Sequence, residues 1–150
     1  MDEMDVAVSV GEGVEPPVAL ERVEAAVRHV LAAEGVAEAE LSVALVGDAE
    51  IAALNEEYLD HEGPTDVISF ALHEAGEPPL GDVYVCVDQA ARQAGDFGAT
   101  PAEEVLRLAV HGTLHVLGYD HPEGAERTGS EMFARQEALL RAFLEGGGEG

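Results

Sequence analysis

Three of the six histidines in this chain fall within eleven residues, as His111-Gly-Thr-Leu-His115-Val-Leu-Gly118-Tyr-Asp-His121. His111 and His115 are four residues apart, so on a helix they stand one turn above each other on the same face. Gly118 suits the left-handed backbone conformation that ends a helix and turns the chain back. His121 can then approach the same point from beyond the turn, held extended by Pro122. Imidazole nitrogens bind zinc at about 2.0–2.1 Å, and three protein ligands leave a fourth tetrahedral position for water, whose pKa falls to about 7. A structural zinc site is ordinarily closed by four ligands, often thiolates, and this sequence has a single cysteine, Cys86. Three buried histidines without a metal would each need another partner. The constellation therefore reads as an open, hydrolytic one-metal site held by His111, His115 and His121. Zinc is the expected ion, with nickel or another borderline divalent metal as the alternative.

The spacing matches the metzincin protease pattern H-E-x-x-H-x-x-G-x-x-H at every fixed position but one. Gly112 stands where those enzymes carry the glutamate that activates water. Peptide hydrolysis without that carboxylate lacks its general base, so a peptidase is the lesser reading. Other groups are weaker catalytic candidates. Arg107 lies one turn before His111 and would suit a phosphodiester, or else it pairs with Glu103 or Glu104. Asp66 and Ser69 could position water or a metal, and Asp66 could equally cap its own turn. His61 is a loop histidine. Asp120 either orients the imidazole of His121 from behind or faces solvent.

The segment from His111 to His121 also resembles the signature H-G-x-L-H-x-x-G-Y-D-H of the YbeY family of bacterial endoribonucleases, with every fixed position present. Leu54-Asn55 with Tyr58, followed by Pro64-Thr65-Asp66-Val67-Ile68-Ser69-Phe70, is similar to that family's second motif, and Leu80-Gly81-Asp82-Val83 to its third. Met132 and Glu137 stand where members carry a Met and a Glu in the last helix. The resemblance implies a small-sheet α+β fold and a metal held by His111, His115 and His121. It further implies metal-dependent cleavage of single-stranded RNA in rRNA processing, at the 3′ end of small-subunit (16S) rRNA, and in ribosome quality control. The partner it implies is the ribosome or a ribosomal protein. Two positions depart from the pattern: Ala71 follows Phe70 where proline is frequent, and the second lies beside Tyr58. Many members carry an Arg directly after the Tyr of the second motif, proposed to contact the scissile phosphate, whereas this chain has Leu59 followed by Asp60-His61. No phosphate-clamping role transfers to Leu59, which keeps open a second reading as a ribosome-assembly binding factor with a mainly structural metal.

The elements that must position these residues can be read from periodicity. Met4 to Val10 alternates as a half-buried strand does, and from Val18 to Gly35 apolar residues recur at helical spacing. Leu41 to Val46 reads as a buried strand, and Gly47-Asp48 as the cap of a helix carrying Ile51, Leu54, Tyr58 and Leu59. Val67 to Leu72 and Asp82 to Val87 read as further strands, with Asp88 placed to cap a helix to about Gly95. Thr100-Pro101-Ala102-Glu103 predicts a sharp helix start through a capping box, opening a helix to Leu117 that is apolar nearly all round and so buried. A last helix is expected over residues 130–145, then a fraying glycine-rich tail over 146–150. The expectation is an α+β fold, a single domain over residues 1–145 with one small mixed sheet of about four strands covered by helices.

The charge is extreme. The 150 residues carry 31 acids against 7 arginines, with no lysine, for a formal charge of −24. The acids are spread along the chain rather than run together as a tail, which favours a surface adapted to concentrated salt, where the Debye length shrinks to about 3 Å at 1 M. Such a surface repels phosphate, in tension with an RNA substrate. Cys86 lies in an apolar run and is expected to be a buried small hydrophobe in a reducing, cytoplasmic setting. No basic leader or membrane-length apolar run is read, so no membrane partner is expected, and the family resemblance implies RNA rather than DNA.

Overall fold

The architecture was analysed in a computed structural model that describes residues 3–60, 62–119 and 131–146. Strand β1 (Glu3–Val10) leads through helix α1 (Leu20–Ala33) into strand β2 (Glu38–Val46). The two strands pair in parallel, as a crossover through a helix allows. Helix α1 buries Val23, Ala26, Val27, Val30 and Leu31, spaced so that they form one apolar face. Helix α2 (Asp48–Leu59), strand β3 (Val67–Ala71) and strand β4 (Leu80–Cys86) follow. The strand order is β1-β2-β4-β3, with β4 parallel to β2 and antiparallel to β3. Helix α3 (Val87–Gln93) and a 3₁₀ turn over Ala94–Phe97 lead to α4 (Pro101–Val116), and α5 (Glu131–Glu145) comes last. This is the α+β fold with a mixed four-stranded sheet that the sequence predicts.

Alternation along the strands sorts the sheet's two faces. Leu41, Val43, Leu45, Val83 and Val85 join residues of α1, α4 and α5 in the main core. Val46, Cys86 and Ile68, with Phe70 and Tyr84, pack instead with Ile51 and Leu54 of α2. Helix α4 lies very close to the sheet, and two glycines make that possible. A Cβ at Gly112 would stand 2.5 Å from Val83 Cγ1, and one at Gly81 would stand 2.6 Å from the Phe70 carbonyl and 2.8 Å from Val116 Cγ1.

Both ends of α4 form as expected. Thr100 Oγ1 accepts from the Glu103 backbone N–H while the Glu103 carboxylate accepts from the Thr100 N–H, each at 3.1 Å. At the other end Gly118 has φ 105°. Its N–H donates to the His115 carbonyl and that of Tyr119 to the Leu114 carbonyl, each at 3.0 Å, satisfying acceptors that a helix end leaves open.

Other boundaries differ from expectation. Strand β2 begins at Glu38 rather than Leu41 and β4 at Leu80 rather than Asp82, because parallel pairing of Glu38 with Glu3 and of Leu80 with Glu40 carries the ladder into polar sequence. Val87 opens α3 instead of ending β4. Asp88 does not cap the helix that contains it. Cys86 takes that place, its Sγ accepting from the Gln89 N–H at 3.5 Å. The Asp88 carboxylate instead accepts the Asp48 N–H at 3.0 Å, closing the start of α2, whose own cap residue, Gly47, has no side chain to do so. The glycine-rich tail beyond Gly146 lies outside the described residues.

Cys86 is buried, as expected, and its thiol donates to Asp48 Oδ1 at 3.3 Å. Burial, more than the neighbouring carboxylate, pushes the thiol pKa up to about 11. At about pH 8 an unperturbed thiol is substantially ionised and this one is not, so a disulfide reagent should label native protein at least about 100-fold more slowly than denatured protein. Equal labelling rates with and without denaturant would contradict the burial described here.

Candidate metal centre

Helix α4 carries two of the three histidines in the described residues. The rings of His111 and His115 have centroids 4.8 Å apart and planes at 78°. His111 is buried at 7% exposure. Both line a cleft of about 350 Å³, bordered also by β3 residues including Ser69, by Thr65 and Asp66 ahead of that strand, and by Leu59 at the end of α2. His121, Asp120 and His61 lie outside the described residues. Tyr119, two residues short of His121, is anchored by its hydroxyl, which donates to Glu34 Oε1 at 2.8 Å, and Arg135 of α5 holds the other Glu34 oxygen at 2.7 Å.

Gly112 explains how this H-x-x-x-H helix departs from the protease pattern. Its missing side chain faces β4, with Val83 Cγ1 at 2.5 Å and Ser69 Oγ at 3.2 Å from an ideal Cβ. A glutamate there would have to displace the strand, so position 112 is where the helix seats on the sheet.

A continuous series of polar side chains runs behind His111, between α4 and α5. Nδ1 of His111 lies 2.6 Å from Gln136 Oε1, and Gln136 Nε2 donates to Glu137 Oε2 at 2.8 Å. Glu137 accepts from Nε and Nη2 of Arg107 at 2.8 and 3.1 Å. Arg107 Nη1 reaches Glu104 Oε1 at 2.5 Å, and Glu104 Oε2 accepts from Gln93 Nε2 at 2.7 Å. The same Gln93 nitrogen lies 3.3 Å from Asp66 Oδ2. The Arg107 guanidinium also sits 4.4 Å from the centroid of the Phe97 ring.

These contacts decide how several candidate residues are used. Arg107 does not address the cleft: it pairs with Glu104, one of the two partners weighed from the sequence, and additionally with Glu137, and its side chain is only 11% exposed. Asp66 borders the cleft, with its Oδ2 3.3 Å from Gln93 Nε2 and its Oδ1 3.5 Å from the hydroxyl of neighbouring Thr65. Ser69 also borders the cleft, and its buried Oγ has no hydrogen-bond partner among the described residues. Gln93 and Gln136 were not singled out in the sequence, and Glu104 only as a surface partner for Arg107. One signal was present, since Gln136 falls on the buried stripe of α5 with Met132, Leu139, Leu140 and Phe143, and a polar side chain in such a stripe needs a partner.

Electrostatics along the series run in opposite senses. Burial raises the Glu104 carboxyl above its ordinary value, despite the hydrogen bonds from Gln93 and Arg107. Burial pushes Glu137 the same way, but hydrogen bonds from Arg107 and Gln136 and the guanidinium charge outweigh it and hold that carboxyl below its ordinary value.

A second possible metal-binding group consists of Asp48, Cys86 and Asp88, whose ligand atoms lie within 4.8 Å of one another. Its members are already joined to each other and to Arg92, which grips both Asp48 oxygens at 2.7 and 3.0 Å. That group closes the start of α2, as described above.

Comparison with known proteins places this geometry. The family model described as endoribonuclease YbeY matches residues 13–144. The chain belongs to the YbeY endoribonuclease family. Curated relatives include the endoribonuclease YbeY of Moorella thermoacetica, 51% identical over 73% of this chain and 76% of that protein. The Bacillus licheniformis endoribonuclease YbeY is 42% identical over 83% and 85%. The solution structure of TM1509 from Thermotoga maritima superposes with a TM-score of 0.63 at 29% identity, covering 91% of this chain and 87% of that one. Among the described residues no helix is long and apolar enough to cross a membrane.

Two outcomes follow for the ion triad. Arg107→Met leaves the fully buried Glu104 facing an apolar chain, so urea unfolding should show a loss of about 3–5 kcal/mol, whereas Arg92→Met, at an exposed pair, should cost far less. Comparable losses for the two variants would refute the burial argument. Glu137, with its depressed pKa, contributes stability that is present above the ordinary value of 4.5 and is lost as pH falls through the folded-state value. The stability gap between wild type and Glu137→Gln should therefore narrow on acidification below 4.5. Glu104, raised by burial, works in the opposite direction and is common to both proteins.

Proposed function

We propose that this YbeY-family chain is a cytoplasmic metal-dependent endoribonuclease acting on single-stranded rRNA, in maturation of the small-subunit 3′ end and in ribosome quality control. The observation that carries the reading is the pair of imidazoles of His111 and His115 standing side by side in a cleft. The helix that bears them ends at Val116, and the left-handed turn at Gly118 stands three residues before His121 in the sequence. All-imidazole donors at this spacing fit zinc, with nickel or another divalent metal as the alternative. Zinc held by His111, His115 and His121 would supply Lewis acidity and lower the pKa of water enough to provide hydroxide near neutral pH. The chain's own part is positional. Helix α4 sets the two rings, Gly112 seats that helix on β4, and Asp66 and Ser69 border the space a substrate would enter. A peptidase reading is disfavoured by the absence of room for a glutamate at position 112.

Binding cannot rest on a basic groove. Arg28, Arg92, Arg107 and Arg135 are engaged by Glu24, Asp48, Glu104 with Glu137, and Glu34, and no arginine is among the described residues that line the cleft. Leu59, 43% exposed, occupies the rim. Approach to RNA then depends on salt screening or on a ribosomal protein that brings the substrate. The lack of an arginine among the described lining residues also supports the second reading, a ribosome-assembly factor whose metal mainly stabilises the fold.

Incubating zinc-loaded protein with rRNA and with casein should yield cleavage of the RNA alone. Cleavage should increase as salt rises from low values toward about 1 M, opposite to the trend of a basic nuclease. His115→Ala should abolish cleavage and leave the melting temperature within a few degrees. Under the binding-factor reading RNA stays intact at every salt and metal tried, and His115→Ala lowers the melting temperature strongly, because metal binding is then folding free energy.

A further inference from the structure

We propose that Gln136 is a positioning residue for the metal centre: its amide oxygen accepts a hydrogen bond from Nδ1–H of His111, which keeps the hydrogen on Nδ1 and the lone pair on Nε2. The inference rests on the reading of His111 as a metal ligand and adds the group that fixes how that ligand is presented. A neutral imidazole carries its hydrogen on one nitrogen and its lone pair on the other. The contact between Nδ1 and Gln136 Oε1 at 2.6 Å is a hydrogen bond only if Nδ1 is the donor, since an amide oxygen has no hydrogen to give.

That argument depends on which end of the amide faces His111, because a glutamine side chain can turn over and exchange its oxygen for its nitrogen. The surroundings remove this freedom. The other end of the amide lies 2.8 Å from Glu137 Oε2. Both Glu137 oxygens accept from Arg107, so that carboxylate faces Gln136 as an acceptor and requires the NH₂ end. Arg107 is fixed in turn by the fully buried Glu104 at 2.5 Å, and Glu104 by Gln93 at 2.7 Å. Turning the amide over would set its oxygen against a carboxylate and its NH₂ against whichever imidazole nitrogen faces it. The triad therefore sets the amide, and the amide sets the imidazole. Gln136 and His111 are both buried, so water does not readily replace either contact.

The test uses full-length Gln136→Met, which keeps the volume without the acceptor, and Gln136→Glu combined with Glu137→Gln, which keeps an acceptor toward His111 without setting two carboxylates face to face. Three quantities are read: zinc affinity by competition with a chromophoric chelator, the His111 tautomer in metal-free protein by long-range proton–nitrogen NMR, and the melting temperature. Gln136→Met should weaken zinc by about 10–100-fold and shift the hydrogen on His111 away from Nδ1. The double variant should restore both, whichever way the melting temperatures move. Unchanged zinc affinity or an unchanged tautomer in folded Gln136→Met overturns the proposal, and should that variant not fold, loss of the Nδ1 hydrogen or of zinc in the double variant does so. Wild-type protein that takes up no zinc while His111 keeps its Nδ1 hydrogen overturns instead the reading of His111 as a ligand.

Discussion

The constraint on which the rest of this structure leans is the burial of a carboxylate, Glu104, inside the packing between α4 and its neighbours. A charge taken out of water costs several kcal/mol unless it is paired and its remaining lone pairs are satisfied. Glu104 meets that demand only with Arg107 on one oxygen and Gln93 on the other, and Arg107 in turn holds Glu137 on α5. Apolar contact between α4 and α5 is non-directional and tolerates sliding. The forked guanidinium does not, because it donates in fixed directions to carboxylates on two different helices. The register of α5 against α4 follows from this, and with it the height at which Gln136 meets His111.

Much of this could be read from the chain, where the signals were local. Thr100-Pro101-Ala102-Glu103 spells out its own cap, and Gly118 takes the left-handed turn its position implied. Both work through neighbours within a few residues, so tertiary structure had little to override. Illegible features are those whose partner is remote in sequence. Asp88 looks like the cap of the helix it begins, yet its carboxylate serves Asp48, forty positions earlier. Arg107 looks like a cation near a metal, yet Glu137, thirty positions later, claims it. The early starts of β2 and β4 were hidden because Glu38, Glu40 and Leu80 are exposed, so pairing without burial leaves no hydrophobic pattern. Gln136 was half legible. Its place in the buried stripe of α5 announced a hydrogen bond but not the partner.

The absence of Lys and the capture of the described ion-paired arginines by acids give the cleft a character unlike that of most nucleic-acid enzymes. Attraction to phosphate normally supplies much of the affinity. Here the described part of the cleft offers imidazoles, a hydroxyl, a carboxylate and aliphatic side chains. In concentrated salt that is less of a handicap than it looks, since long-range attraction would be screened in any case. Short-range fit and a delivering partner are the contributions that survive such conditions.

The acceptor for His111 comes from α5, and so does the second carboxylate on Arg107. Both contacts cross between the same two helices, so a shift of α5 along α4 would strip the buried guanidinium of one partner and the imidazole of its acceptor together. A single seam thus serves as bracket for charge and ring alike.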